Sequence, residues 1–118
     1  MTLNAVGVES DGFPFIHADI DFDSDTSLCK ASYDNPKFKD STYRLTQQEL
    51  DSIKFFIINC DLTKLKKEYT STSTDQPTST TIVYTSNGKF EIKDYALQAG
   101  FPLKELYRIV YKLEFTFR

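Results

Sequence analysis

Residues 14–23 alternate between apolar and polar side chains, and this alternation constrains the fold more than any other feature of the sequence. The apolar positions are Ile16, Ala18, Ile20 and Phe22, and the polar positions are His17, Asp19, Asp21 and Asp23. Successive side chains of a β-strand point to opposite faces. The segment is therefore predicted to be a strand with one buried face and one face in water.

A turn and a returning strand are predicted next. Residues 24–27 favour a turn because their Ser, Asp and Thr side chains bond to nearby backbone groups. Residues 28–33 then alternate again, with Cys29, Ala31 and Tyr33 on one side. Asp34-Asn35-Pro36 ends this strand, and residues 38–45 are predicted to form a third one.

The first helix has a clear start signal. Thr46 and Glu49 form a capping box, in which each side chain bonds to the backbone N–H of the other residue. Apolar side chains follow at helical spacing, at Leu50, Ile53, Ile57 and Cys60, with Phe56 beside them. Asp61 is predicted to begin a second, short helical turn. The lysines after it, Lys64, Lys66 and Lys67, are interpreted as a solvated face.

The second half repeats the pattern of hairpin and helix. Residues 70–81 contain nine Ser or Thr in twelve positions, so residues 70–80 are predicted to be a surface loop. Asn87-Gly88 between alternating segments predicts a hairpin with a type I′ turn. Pro102 suits the first position of a final helix. Its apolar stripe contains Leu103, Leu106, Tyr107, Val110 and Leu113, with Tyr107 and Tyr111 interpreted as the edge of the core.

These elements predict a single α+β domain over residues 1–118, with residues 1–12 as a flexible end. The order is β-β-(β)-α-β-β-α. Hairpins make neighbouring strands antiparallel, and each helix has one apolar stripe. We therefore expect one antiparallel sheet of four to five strands with both helices packed on one face. The other face is then open to a partner, and an open edge strand could pair with a second copy to form a homodimer.

Charge is distributed unevenly along the chain. The net charge is −3, and residues 1–36 hold seven of the 17 acidic residues but only one basic residue. An acidic balance disfavours nucleic-acid binding, whereas an acidic patch attracts a basic protein. The candidate partner-binding residues are His17, Asp19, Asp21, Asp23 and Asp25.

No metal, cofactor or catalytic residue is predicted. Asp19, Asp21, Asp23 and Asp25 resemble part of a calcium loop, but counting from Asp21, Thr26 and Ser32 stand where an EF-hand needs Gly and Glu. His17 is the single histidine, and no nucleophile or phosphate-loop motif accompanies it. We therefore expect a protein that is not an enzyme.

The cysteines and the N-terminus favour a cytoplasmic protein. Cys29 and Cys60 do not form a Cys-x-x-Cys pair, and their spacing allows a disulfide without requiring one. Two reduced, buried thiols are the preferred interpretation. No long apolar run predicts a membrane span, and the first ten residues lack the features of a signal peptide. A periplasmic or envelope location is the alternative if an export segment has been removed.

The second half carries a further pattern. It runs from Thr74-Asp75 through Pro77-Thr78 to Asp94-Tyr95, and ends at Pro102 with the leucines of the last helix. This pattern resembles an uncharacterised family of small bacterial domains, known mainly as short secreted or lipid-anchored proteins. The Cys-x-Gly-x-Cys-Pro stretch of that family is missing here. The resemblance implies the same element order but no activity, and it implies a structural role for the loop motif Asp75, Pro77, Thr78, Asp94 and Tyr95.

Two functions are therefore expected from the sequence. The first is a non-catalytic protein-binding module, most concretely an acidic immunity-type inhibitor that neutralises a basic bacterial toxin. The second is an exported or lipid-anchored envelope domain of unknown function. A disulfide between Cys29 and Cys60 would favour the second.

Overall fold

The computed structural model describes residues 2–11, 15–32, 41–70, 78–95, 97, 99–100 and 102–111. The first four strands are β1 (Leu3–Ser10), β2 (Phe15–Asp21), β3 (Thr26–Ser32) and β4 (Ser41–Tyr43), and helix α1 (Gln47–Ile58) follows. A 3-10 helix (Leu62–Lys64) then leads to β5 (Glu68–Tyr69), β6 (Thr78–Thr85), β7 (Gly88–Tyr95) and helix α2 (Leu103–Val110).

All the strands of the described ranges belong to one sheet, in the order β4-β3-β2-β1-β6-β7-β5. The α+β class is as predicted, but the sheet has seven strands where four to five were expected. It is also mixed, because β5 runs parallel to β7 while the other neighbours are antiparallel. The additional strands are β1 and the short edge strand β5, whereas β4 lies within the third strand predicted over residues 38–45. A strand of two residues leaves too short an alternation for sequence patterns to detect.

Strand β1 is at the centre of the sheet, between β2 and β6, although residues 1–12 were expected to be a flexible end. Its inward side chains are Leu3, Val6, Val8 and Ser10. A register shift between Leu3 and Ala5 breaks the period of two, and Gly7 offers no side chain to the pattern. These two features explain why the sequence pattern does not predict β1, since an alternation of apolar and polar residues is the main sequence signal for a strand.

The hairpin of β2 and β3 has the predicted inward face. Ile16, Ala18 and Ile20 are buried, and they lie opposite Ala31, Cys29 and Ser27 of β3. The strand ends at Asp21, however, and Phe22–Asp25 form the turn, in which Asp25 has a φ of 52°. Asp23 therefore lies in the turn rather than on the strand face, and Asp25 lies in the turn as predicted. Tyr33 lies outside the described residues.

The hairpin of β6 and β7 forms where Asn87-Gly88 predicted it, but its turn is different. Thr85 pairs with Gly88, so Ser86 and Asn87 are the two turn residues. A type I′ turn needs a positive φ at both turn residues. Neither Ser86 nor Asn87 has one, whereas Gly88, the residue after the turn, has a φ of 122°. The type I′ prediction is therefore wrong. The end of the Ser/Thr-rich segment belongs to β6 from Thr78 onward, while residues 71–77, including Asp75 and Pro77, lie outside the described part of the chain.

Both helices contribute to one core. The predicted capping box is present: Glu49 N–H donates to Thr46 Oγ1 over 3.1 Å, and Thr46 N–H donates to Glu49 Oε1 over 2.9 Å. Pro102 stands one position earlier than predicted, as the residue before α2. The buried residues of the helices, Leu50, Ile53, Ile57, Leu103, Leu106, Tyr107 and Val110, join the inward side chains of the sheet in a single cluster. No helix among the described residues is long and apolar enough to cross a membrane.

Candidate functional site

A cleft lies on the face of the sheet that the core does not cover. Its volume is about 430 Å³, and it extends over β1, β2, β3 and β6. Its outward-facing lining residues include Ala5, Gly7, Glu9, His17, Asp19, Asp21, Leu28, Arg44, Thr80, Ile82 and Tyr84. We call this surface the open-face cleft. It is the side of the sheet on which the sequence predicted a partner.

The cleft exists because the central strand carries small residues there. Gly7 lies between Asp19 of β2 and Ile82 of β6, and a Cβ atom built on Gly7 would meet no atom within 4 Å. Ala5 lies in the next row, between Asp21 and Tyr84. Larger side chains on both sides form the walls. The result is a groove with a backbone floor that a long side chain of a partner could reach.

Acidic side chains crowd one wall of the cleft. His17 lies opposite Glu9 of β1, and its Nδ1 is 4.0 Å from Glu9 Oε1. The other ring nitrogen, Nε2, donates to Asp19 Oδ2 over 3.0 Å. All three side chains are exposed to about half or more of their surface. Because these groups have water on one side, they can exchange this contact for one with a cationic partner at small cost.

The predicted carboxylates separate into two groups. Asp19 and Asp21 line the cleft, whereas Asp23 and Asp25 lie in the exposed turn beyond its end. The backbone N–H of Asp23 donates to Asp21 Oδ1 over 2.9 Å, which helps to fix the turn. Within the described ranges, no group of three His, Cys, Asp or Glu residues is arranged to hold a metal ion. The four aspartate carboxylates instead provide separate hydrogen-bond acceptors along this side of the sheet.

Sequence reasoning missed Arg44, which lines the cleft on the β3 side. Its Nη1 donates to the backbone oxygen of Ser27 over 2.9 Å, so the guanidinium covers part of the β3 edge that the short β4 leaves open. It also supplies a positive charge at the end of the cleft opposite Tyr84. Nothing in the sequence indicated this role, because the contact depends on where β4 ends.

The loop-motif residue Asp94 lies on the core side, away from the cleft. It is fully buried, and its Oδ2 accepts from the Ala99 N–H over 2.9 Å and from the Tyr107 hydroxyl over 2.8 Å. Tyr107 stacks on Tyr111, with ring centroids 5.6 Å apart. Burial, and then the negative charge of Asp94, raises the pKa of Tyr107. Through the hydrogen bond from Tyr107, Asp94 of β7 helps to hold α2 against the sheet.

Two other residues of the loop motif, Thr78 and Tyr95, lie in the hairpin of β6 and β7. The backbone N–H of Thr78 donates to Asp11 Oδ1 over 2.7 Å, which joins the start of β6 to the end of β1. Tyr95 pairs with Thr78 across the hairpin and is half-buried. Neither residue belongs to the open-face cleft.

Neither cysteine is part of a disulfide; Cys29 is buried and Cys60 is partly buried. The Cys60 thiol donates to the Ile57 carbonyl, and burial together with the charge of Asp61 raises its pKa. A raised pKa lowers the thiolate fraction and hence the reactivity of a thiol. The structure contains no bond between Cys29 and Cys60, the disulfide that would favour the envelope-domain alternative.

No family model, curated protein or solved structure matches the chain.

Proposed function

We propose that this protein is a non-catalytic binding module that holds a basic protein partner against the open face of its sheet. The observation that carries the proposal is the open-face cleft, in which Glu9, Asp19 and Asp21 flank a floor made by Ala5 and Gly7. Such a surface offers several acceptors to a cation and room for its side chain.

The charges of the cleft support this choice of partner. Each exposed pair with a lysine or arginine contributes only about 0–1 kcal/mol. Several carboxylates of one sign on a concave surface nevertheless raise the association rate by roughly 10- to 1000-fold at low salt. Asp23 and Asp25 in the adjoining turn extend the negative potential beyond the cleft. The effect is screened over a Debye length of about 8 Å at physiological salt.

The apolar wall supports direct contact as well as steering. Ile82 and Leu28 face the cleft from either side of Gly7, and Tyr84 is 42% exposed. Tyrosine combines a large apolar ring with a hydroxyl and is enriched among the residues that dominate binding interfaces. An arginine of the partner could lie along Gly7, contact Asp19 and stack on Tyr84.

The most concrete form of the proposal is an acidic immunity-type inhibitor. A small acidic protein of this kind acts by covering the active site of a basic toxin, and it needs no catalytic group of its own. The net charge of −3 and the acidic cleft suit that role. In this form the protein acts in the cytoplasm, where the toxin would otherwise damage the cell that makes it.

The experiment is affinity capture from the native lysate with three baits. They are the unmodified protein, the Asp19→Lys/Asp21→Lys variant, and an Asp51→Lys/Glu68→Lys control. Asp51 and Glu68 are exposed and lie outside the cleft. The control therefore changes the net charge by the same amount as the cleft variant but leaves the cleft unaltered. Captured proteins are eluted with a salt gradient and identified, and then assayed for toxic activity with and without the three baits.

We expect one basic protein to be retained by the unmodified bait and by the control, and to elute as salt is raised. The cleft variant should lose it, and only the first two baits should inhibit its activity. Equal retention by all three baits would place the interface elsewhere. Retention without inhibition would remove the immunity role and leave the binding module.

A further inference from the structure

Within the described part of the chain, strand β7 has an open edge over much of its length. It pairs with β6 on one side throughout, whereas β5 on the other side pairs only with Lys93 and Asp94. The chain before β5 forms a 3-10 helix at Leu62–Lys64 rather than a strand. Among the described residues, a strand-sized slot therefore lies beside Gly88–Ile92, in line with β5.

The backbone of this edge points into the slot. Lys93 N–H donates to the Lys67 carbonyl over 2.9 Å, so it faces away from β6. In an antiparallel pair, residues alternate between those bonded to the partner strand and those that are not. Glu91 and Lys89, two and four residues before Lys93, therefore direct their N–H and C=O groups to the same side. Each offers a donor and an acceptor to an incoming strand.

A groove of about 400 Å³ accompanies this edge, and we call it the β7-edge groove. Its lining is Leu62, Leu65, Lys66, Lys67, Lys89, Phe90, Glu91 and Ile92. It therefore contains four apolar side chains, three lysines and one glutamate. It shares no lining residue with the open-face cleft, so the two surfaces can be tested independently.

The charges indicate what the groove accepts. The ammonium group of Lys66 is held over the Tyr69 ring, 5.8 Å from its centroid, at the end of the groove where β5 begins. Lys67 and Lys89 also line the groove. Lysines on an exposed edge oppose pairing with another cationic strand, and a second copy would bring the same lysines. An acidic strand is complementary to them.

We propose that the β7-edge groove binds an extended acidic peptide segment, which adds to the sheet as a strand beside β7. The backbone of Lys89 and Glu91 supplies the strand hydrogen bonds. The lysines select carboxylates, and Phe90 and Ile92 receive the apolar side chains that alternate with them. The protein would then bind a basic partner on its open face and an acidic segment at its edge.

The test uses the full chain and a fluorescent acetyl-Glu-Val-Glu-Val-Glu-Val-amide peptide, followed by fluorescence anisotropy. We expect saturable binding that is weakened at least about tenfold in the Lys67→Glu/Lys89→Glu variant. The Lys54→Glu/Lys104→Glu control changes the charge equally at exposed helix positions and should bind normally. The peptide with Lys in place of Glu should not bind.

Two N-methylated peptides separate strand addition from simple charge attraction. One is methylated on the amides of its Glu residues and the other on those of its Val residues. A strand added at one edge uses only alternate amides, so one isomer should bind like the parent and the other about tenfold more weakly. Equal binding of both isomers, absence of binding, or formation of dimers by the protein alone at the same concentrations would overturn the proposal.

Discussion

The hydroxyl of Tyr107 in helix α2 donates to Asp94 Oδ2 in strand β7 over 2.8 Å. Both residues are 0% exposed. A buried carboxylate is tolerated only when donors satisfy it, and the Ala99 N–H is a second donor. The pair therefore fixes how α2 lies on β7 rather than serving the open-face cleft.

Removal of either partner should destabilise the protein, and the two effects should not add. Tyr107→Phe leaves Asp94 with one donor fewer, and we expect a loss of about 1–2 kcal/mol in the free energy of unfolding. Asp94→Ala removes the acceptor of both the Tyr107 hydroxyl and the Ala99 N–H, and we expect about 3 kcal/mol. The double variant should lose at least about 1 kcal/mol less than the sum. Urea unfolding measures all three, and strictly additive losses would contradict the coupling.

The buried tyrosines should make the protein sensitive to alkali. Burial and the charge of Asp94 raise the pKa of Tyr107, and burial raises that of Tyr111. In the unfolded chain both phenols titrate near pH 10, while the folded chain keeps them protonated. The stability they contribute is therefore fully present below about pH 10 and falls above it, by at most about 1.4 kcal/mol per pH unit for each phenol.

Absorbance at 295 nm checks this, because it reports tyrosine ionisation. Tyr107 and Tyr111, two of the seven tyrosines, should ionise only as the protein unfolds. Urea unfolding between pH 8 and 11 should show a shallower loss of stability in Tyr107→Phe/Tyr111→Phe than in the exposed control Tyr84→Phe. The same slope in both variants would show that other groups cause the sensitivity.

One buried hydroxyl is replaceable. Thr81 is 0% exposed, and its Oγ1 has no hydrogen-bond partner within the described part of the chain. Its neighbours across the sheet are Val8 and Ile92, both apolar. Thr81→Val keeps the shape and removes the cost of burying the hydroxyl, so we expect the free energy of unfolding to rise by about 1 kcal/mol. An unchanged or lower value from urea unfolding would contradict this.

Gly7→Val should separate folding from binding. A Cβ at Gly7 meets no atom within 4 Å, and glycine weakens a strand interior relative to a β-branched residue. We expect stability to be unchanged or to rise by up to about 1 kcal/mol. The new side chain fills the floor of the cleft, so capture of a basic partner should be lost. A folded Gly7→Val protein that binds normally would show that the partner does not enter the cleft.

The sequence predicts the local features of this fold better than its centre. The faces of β2, the capping box at Thr46 and the hairpin before β7 each depend on residues close together in the chain, and each is present. Strand β1 was not predicted, because the register shift between Leu3 and Ala5 and the glycine at position 7 interrupt the alternation of apolar and polar residues. Edge strand β5 has only two residues and is defined by its pairing with Lys93 and Asp94, which no local pattern contains.

The candidate site was predicted only in part for the same reason. His17, Asp19 and Asp21 share a strand face, so their period of two placed them together. The floor of the cleft belongs to β1, and its far wall of Ile82 and Tyr84 belongs to β6. The floor and the far wall come together only because of the strand order of the sheet, and that order follows from the packing of the whole chain.

The most direct test of the account is amide chemical-shift mapping with an acetyl-Gly-Arg-Gly-Arg-Gly-amide peptide as a basic probe. We predict that the shifts concentrate on Gly7, Asp19, Ile82 and their neighbours, and that they diminish as salt is added. They should disappear in folded Asp19→Lys/Asp21→Lys protein and persist in the Asp51→Lys/Glu68→Lys control. Shifts that are absent, spread over the whole surface, or equal in the two variants would contradict the claim that the open-face cleft is the binding site.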